Sequence, residues 1–209
     1  MCGFAGWFQK SGQVWPEDAR RRQAAAMKAL HHRGPDDGGE ASGGSWWMGF
    51  RRLSILDLSG HAHQPMSFDH GHQTLTFNGE IYNFRELRRE LEARGVALRS
   101  SGDTEVVLQA IATWWTDAID RLNGMFALAC YDRQEGRFLA ARDHAGIKPL
   151  YLLDAREGLV FASQYDQVVR HPWAQGRRAR PEALVQYLRH GAVPPGPGPR
   201  TCSEVLPKR

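Results

Sequence analysis

The chain has 209 residues, 42% apolar and 24% charged, the balance of one globular domain, with or without an appendage, that can bury a core. No run of eighteen or more apolar residues offers a membrane span, and no basic segment followed by an apolar one offers a secretory signal. The net charge of +4 hides a division, because eight Lys/Arg face two Asp/Glu from Arg170 onward while residues 1–169 are slightly acidic. No basic stripe interleaved with aromatics and no recognition motif accompanies that tail. Nucleic-acid binding is therefore not expected, and contact with another domain is.

In chain order, CGFAGWF alternates as a strand does. PEDARRRQAAAMKALHHRG reads as a helix, with Pro16 near its first position, Glu17 and Asp18 in the first turn and Gly34 as its stop. WWMGFRRLSILDL is strand-rich, and QTLTF and EIYN read as two strands joined by Asn78-Gly79. Two helices follow, one from Asn83 to Gly95 and one from Asp103. MFALACYD, RFLAARD, PLYLLD and LVFAS are short strands at hairpin spacing. A last helix, PEALVQYLRHG, precedes AVPPGPGPRT, which reads as an extended connector. Antiparallel strands with helices grouped between them predict an α+β layered fold.

The three cysteines, Cys2, Cys130 and Cys202, lie far apart with no C-x-x-C pair. That excludes a disulfide framework or a zinc ribbon and fits a reducing cytoplasm. Cys2 is distinctive because a small second residue lets the initiator methionine be trimmed. The product would carry a thiol and a free α-amine in one residue, a nucleophile beside its base.

Four other stretches stand out, and each has a plain structural reading beside a functional one. HRGPDD can be a helix end with its glycine cap, and FNGE a two-residue hairpin. SGDTE can be an acidic helix start, and Arg51 and Arg52 can be solvated strand residues. His61, His63, His70 and His72 form two H-x-H pairs. Gly60, Pro65 and Gly71 break that segment, and no carboxylate or thiolate sits at ligand spacing, so no metal site is expected.

Taken together, MCG, HRGPD, RLSILD, HQPM, NGEIYN, SGDTE, LNGMFALACYD, RDHAGIKPLY and FAS occur in the order seen in class II glutamine amidotransferase domains. The sequence most resembles the glutaminase half of glutamine-hydrolysing asparagine synthetases, over residues 2–193. The resemblance implies a four-layer αββα N-terminal-nucleophile hydrolase fold with two mostly antiparallel sheets. It also implies hydrolysis of L-glutamine to glutamate and ammonia, with the ammonia passed to a synthetase domain or chain. No cofactor is implied for that step, and ATP and magnesium belong to the synthetase reaction. Residues 194–209 would be a connector towards such a domain, whose serine-glycine-glycine phosphate loop is absent here. A cytoplasmic enzyme, with a homodimer as a further expectation, completes the implied picture.

Carried over residue by residue, the resemblance makes Cys2 the nucleophile that forms a thioester and its α-amine the proton shuttle. The ordinary pKa values of a thiol and an α-amine, ~8.5 and ~7.7–8.0, suit transfer near neutral pH. The Asn78 side-chain amide and the Gly79 N–H would form the oxyanion hole. Arg52 would pair with the glutamine α-carboxylate, and Asp103, with Glu80 or nearby backbone, would take the α-ammonium. Leu53, Ser54, Ile55, Leu56 and Gly102 complete the implied pocket, and Arg33 and Gly34 would order the loop near the nucleophile. The family pattern F-A-S-E reads Phe161-Ala162-Ser163-Gln164 here, so a charge is lost at Gln164. Two other functions stay open: the same chemistry serving another carboxylate acceptor, on a sugar or a peptide, and a non-catalytic regulatory module.

Overall fold

β1 (Gly3–Gln9) buries all seven of its residues. A strand covered on both faces needs a layer on each side, and this one lies at the centre of a five-stranded sheet. The computed structural model describes residues 2–10, 19–53, 63–68, 72–176, 181–191 and 202–205. The first sheet runs β2 (Asp37–Ser42), β3 (Trp46–Arg52), β1, β9 (Gly158–Ala162), β8 (Tyr151–Asp154). The second runs β10 (Cys202–Val205), β7 (Arg137–Arg142), β6 (Gly124–Asp132), β5 (Gln73–Ile81), β4 (Met66–Phe68). Every neighbouring pair in both sheets is antiparallel.

Three apolar cores stack these layers. Between the sheets, Phe4, Phe8, Phe50 and Phe161 meet Phe138 and the small residues Ala127, Ala129 and Ala140. The alanines leave room for rings, and Phe138 stacks on Phe8 at 6.1 Å and meets Phe161 at 4.9 Å. Outside the second sheet, α2 (Phe84–Ala93) and α3 (Asp103–Trp114) cover Leu75, Phe77 and Leu128 with Leu87, Leu91, Val107 and Ile111. Outside the first, α1 (Ala19–Leu30) and α5 (Tyr165–Val169) place Met27, Leu30 and Val168 on Trp7, Trp47 and Val160. The order helix, sheet, sheet, helix is the expected αββα sandwich. Each fully buried large side chain contributes on the order of 1.5–3 kcal/mol to holding the layers together.

The structure corrects one reading of the sequence directly. Asn78-Gly79 is no hairpin turn, because β5 runs straight through it, with Asn78 opposite Ala127 and Gly79 opposite Phe126. A two-residue turn of that kind needs positive φ at both residues, and Gly79 is not among the positive-φ glycines. Its missing Cβ matters for packing instead, since that atom would lie 2.4 Å from Met125 O and 2.7 Å from Phe126 Cα.

Elsewhere the boundaries shift. The first helix ends at Leu30 and tightens into a 3₁₀ turn, His31–Arg33, before Gly34; residues 11–18 lie outside the described chain. The strand expected over WWMGFRRLSILDL is β3 as far as Arg52, and residues 54–62 lie outside the described chain. Asn83 precedes α2 without capping it. Its side chain instead donates to Arg121 O at 2.9 Å and accepts from Asn123 N–H at 2.9 Å, tying α2 to α4 (Asp117–Arg121) and to the entry of β6. The helix read at PEALVQYLRHG is α6 (Pro181–His190), and within 194–209 four residues form β10 on β7.

Candidate active site

At one end of the sandwich a cleft of about 420 Å³ opens between the start of β1, the end of β3, the second half of β5 and the first turn of α3. Its volume falls within the roughly 300–1,000 Å³ typical of small-molecule sites. Cys2, Arg52, Leu53, Asn78, Gly79, Glu80, Gly102 and Asp103, which are far apart in sequence, all line it. Ser54, Ile55 and Leu56 lie outside the described residues.

Cys2 is half-buried at the rim of the inter-sheet core. Leu53 fixes its thiol: the Leu53 N–H donates to Sγ at 3.4 Å, and the S–H reaches Leu53 O at 3.6 Å. From behind, Arg33 Nε donates to the Cys2 carbonyl at 3.1 Å. The Arg33 stem crosses Gly3 so closely that a Cβ there would sit 2.9 Å from Arg33 Cδ. Burial pulls the Arg33 guanidinium below its ordinary pKa, and Cys2 and Tyr151 oppose that shift. Arg33 and Gly34 therefore support residue 2 without lining the cleft; the Gly34 N–H closes the turn on His31 O at 3.1 Å.

Strand periodicity aims Asn78. Leu75, Phe77 and Ile81 face the helix-side core, so the alternate residues Thr76 and Asn78 face the first sheet, where β1 begins. Asn78 is 2% exposed, and its Nδ2 has no hydrogen-bond partner among the described residues. A buried donor left without a partner costs about 1–3 kcal/mol, so this one is poised for something that enters the cleft.

The Gly79 N–H has its direction set by β6. Opposite it, Phe126 turns its N–H to Asp143 Oδ2 at 3.1 Å and its carbonyl to Asp143 N–H at 2.8 Å. Phe126 and Gly79 are thus a non-hydrogen-bonded pair, and the Gly79 N–H points away from β6.

Asp103 opens α3, but Gly102 is the cap, and Asp103 Oδ2 accepts the Ile81 N–H at 3.0 Å instead. Burial and, to a smaller extent, neighbouring Glu80 raise the Asp103 carboxyl above the usual carboxylate range. The approach to it is rigid: Glu105 accepts from Arg99 N–H and Ser100 N–H, and Arg88 Nη2 donates to Ser100 O at 2.7 Å. Arg52, 8% exposed, reaches the cleft from the end of β3. The cleft thus offers cations, Arg52 among them, and an acidic pair around a thiol and two N–H donors.

Two lining residues escape a reading by local pattern. Gln64 closes on the Phe77 peptide with both ends of its amide, and Lys148 follows a turn organised by Asp143. Asp143 accepts from the Ile147 and Lys148 N–H groups; although burial raises its carboxyl, these donors bring it below the usual range. Both residues lie inside quoted stretches, HQPM and RDHAGIKPLY, but only the fold shows what they touch.

His63 Nδ1 lies 2.9 Å from Asp37 Oδ2. Among the described residues no group of three or more His, Cys, Asp or Glu could hold a metal ion, and His61 and His70 lie outside them. Gln164 precedes α5, with Nε2 3.4 Å from His32 Nε2. A smaller cavity, about 190 Å³, sits between α1 and α5 on the outer face of the first sheet, beside Trp7, Arg22 and His171. Burial, reinforced by Arg22, lowers His171 to about 4, so it is neutral at physiological pH. None of the expected site residues reaches that cavity. No helix among the described residues is long and apolar enough to cross a membrane.

Comparison with known proteins gives the family. Asparagine synthetase [glutamine-hydrolyzing] 1 of Bacillus subtilis is 37% identical over 195 residues, covering 93% of this chain and 30% of that protein. Asparagine synthetase B [glutamine-hydrolyzing] of Escherichia coli is 34% identical over 171 residues, covering 81% and 30%. The chain thus spans about 30% of the length of these relatives. Glutamine phosphoribosylpyrophosphate amidotransferase from B. subtilis superposes with a TM-score of 0.64 at 18% identity, over 80% of this chain and 42% of that one, and shares the fold. A family profile described as a glutamine amidotransferase domain matches residues 1–204, and the chain belongs to that family.

Proposed function

We propose that this domain hydrolyses L-glutamine to glutamate and ammonia, and that the ammonia serves ATP-dependent synthesis of asparagine from aspartate. The observation that carries the reading is the buried Asn78 Nδ2, a donor without a partner among the described residues, in the same cleft as the Cys2 thiol. With Cys2 as first residue, its α-amine takes the thiol proton and Sγ attacks the side-chain amide carbon of glutamine. Asn78 Nδ2 and the Gly79 N–H receive the developing oxyanion. The amine then passes the proton to departing ammonia, leaving a thioester that water opens to glutamate as the thiol is restored. Each such oxyanion donor contributes ~2.7–4 kcal/mol to lowering the barrier. This step calls for no cofactor; ATP and magnesium belong to a synthetase domain or chain. The asparagine reading of the acceptor is favoured by the relatives, and a reducing cytoplasmic setting suits a free catalytic thiol. Ammonia release from glutamine by this chain without ATP is the test, and an inactive protein would leave only a binding role.

Arg52, which lines the cleft, pairs with the α-carboxylate in this reading. Arg52→Ala is expected to weaken glutamine binding by ~2–5 kcal/mol, the usual loss for a desolvated charge pair. An unchanged KM for glutamine would return Arg52 to a structural role on β3.

Asp103 gives a prediction of opposite signs for stability and binding. Its folded-state pKa is raised, so the ionised form is disfavoured by the fold, and stability improves as pH falls from neutral through that pKa towards the unfolded value. Asp103→Asn keeps an acceptor for the Ile81 N–H and removes the buried charge. Its melting temperature at pH 7 should equal or exceed that of the parent, while KM for glutamine rises about ten- to a hundredfold with the loss of a charge-assisted bond to the ammonium. In the parent, KM should rise as pH drops through the same pKa. A destabilised Asn variant with normal KM would contradict the assignment.

Gln164 contacts His32 and touches none of the reacting groups. Gln164→Glu should therefore change ATP-independent glutamine hydrolysis by no more than a few fold, measured as ammonia released. A change of several orders of magnitude would place residue 164 in the catalytic machinery.

A further inference from the structure

We propose that Gln64 is a positioning residue for the oxyanion hole, an assignment that rests on the glutaminase reading above. One edge of β5 is covered only in part by β4. On that edge β4 pairs with β5 only from Met66–Leu75 to Phe68–Gln73, so the backbone groups of Phe77, Gly79 and Ile81 face no strand of the described residues there. Two of those three positions are filled by side chains. Phe77 N–H donates to Gln64 Oε1 at 2.6 Å, and Gln64 Nε2 donates to Phe77 O at 3.1 Å. Ile81 N–H donates to Asp103 Oδ2 at 3.0 Å. Between them lies Gly79, whose N–H opens onto the cleft.

Gln64 thus imitates one more residue of β4 and fixes the peptide immediately before Asn78. With the Phe77 peptide held on one side and β6 on the other, the Asn78 side chain and the Gly79 N–H keep a common aim. Gln64 is 5% exposed, and its Oε1 and one N–H of its Nε2 are engaged by Phe77, which fits a positioning role. Its effect is on the geometry of the two donors alone. A displacement of about 1 Å at such donors costs on the order of a hundredfold in rate.

The discriminating variant is Gln64→Glu, which keeps size and the acceptor for Phe77 N–H but opposes a carboxylate oxygen to Phe77 O. The expected result is a fall in kcat for glutamine hydrolysis of about ten- to a hundredfold, with KM for glutamine and the rate of Cys2 alkylation by iodoacetamide unchanged. Affinity for the γ-aldehyde analogue of glutamine, which adds the Cys2 thiol to give a hemithioacetal, should fall by the same factor, while affinity for glutamate holds. A kcat within twofold of the parent, or losses shared equally by alkylation and KM, would overturn the proposal. The parent protein supplies a check that needs no variant: the Phe77 amide should be strongly protected from hydrogen exchange, and rapid exchange would overturn the clamp. An active parent with an unimpaired Gln64→Glu variant removes this inference alone, whereas an inactive parent removes the glutaminase reading with it.

Discussion

Cys2→Ala is expected to release no ammonia from glutamine while folding as the parent does. Among the described residues that line the cleft, the thiol is intrinsically the strongest nucleophile for the amide carbon, and neither Asn78 nor Arg52 can replace it. Its structural share is small. Sγ makes two long contacts, to the N–H and carbonyl of Leu53 at 3.4 and 3.6 Å, and the residue is only half-buried. Losing them should shift stability by no more than ~1 kcal/mol, or about 2–4 °C in melting temperature for a domain of this size. Glutamine should still bind, since the groups proposed to hold its amino-acid end, Arg52, Asp103 and Glu80, are untouched. Ammonia assay, thermal melt and glutamine titration on the same preparation separate these effects. Parent-like ammonia release from Cys2→Ala would remove Cys2 from the mechanism.

What the sequence made legible follows the distance over which each signal acts. The alternation of CGFAGWF, the Asp103 helix start and the Gly95 stop are local patterns, and each reappears in the fold. FNGE misled because Asn-Gly favours a turn when nothing opposes it, whereas β6 pairs with all nine residues of β5 and needs a glycine opposite Phe126. β2, with the sequence DGGEAS, carries almost no strand propensity and exists because β3 pairs with it along its length. Gln64 has no local signature at all, since its meaning lies 13 residues away at Phe77. The candidate site residues are legible as separate stretches, and the fold brings those it describes, Arg33 and Gly34 apart, to one cleft. What no local pattern could show is that Phe126 turns away from Gly79, leaving that N–H for the cleft.

The central claim is that the α-amine of Cys2 acts as the base, which requires an active protein that begins at Cys2. A residue retained before it would turn the amine into a planar amide, with no lone pair able to accept the thiol proton. It would also crowd the approach of the glutamine amide to Sγ, so positioning would fail together with the base. A structural role for Cys2 as the first residue of a strand demands none of this. The measurement compares two preparations, one beginning at Cys2 and one carrying an extra residue before Cys2 that cannot be cleaved, each verified by intact mass. Both should melt at the same temperature, because Cys2 is anchored through its carbonyl to Arg33 and through its thiol to Leu53, contacts that leave its amine uninvolved. Only the first should release ammonia from glutamine; equal release by both would contradict an N-terminal-nucleophile mechanism.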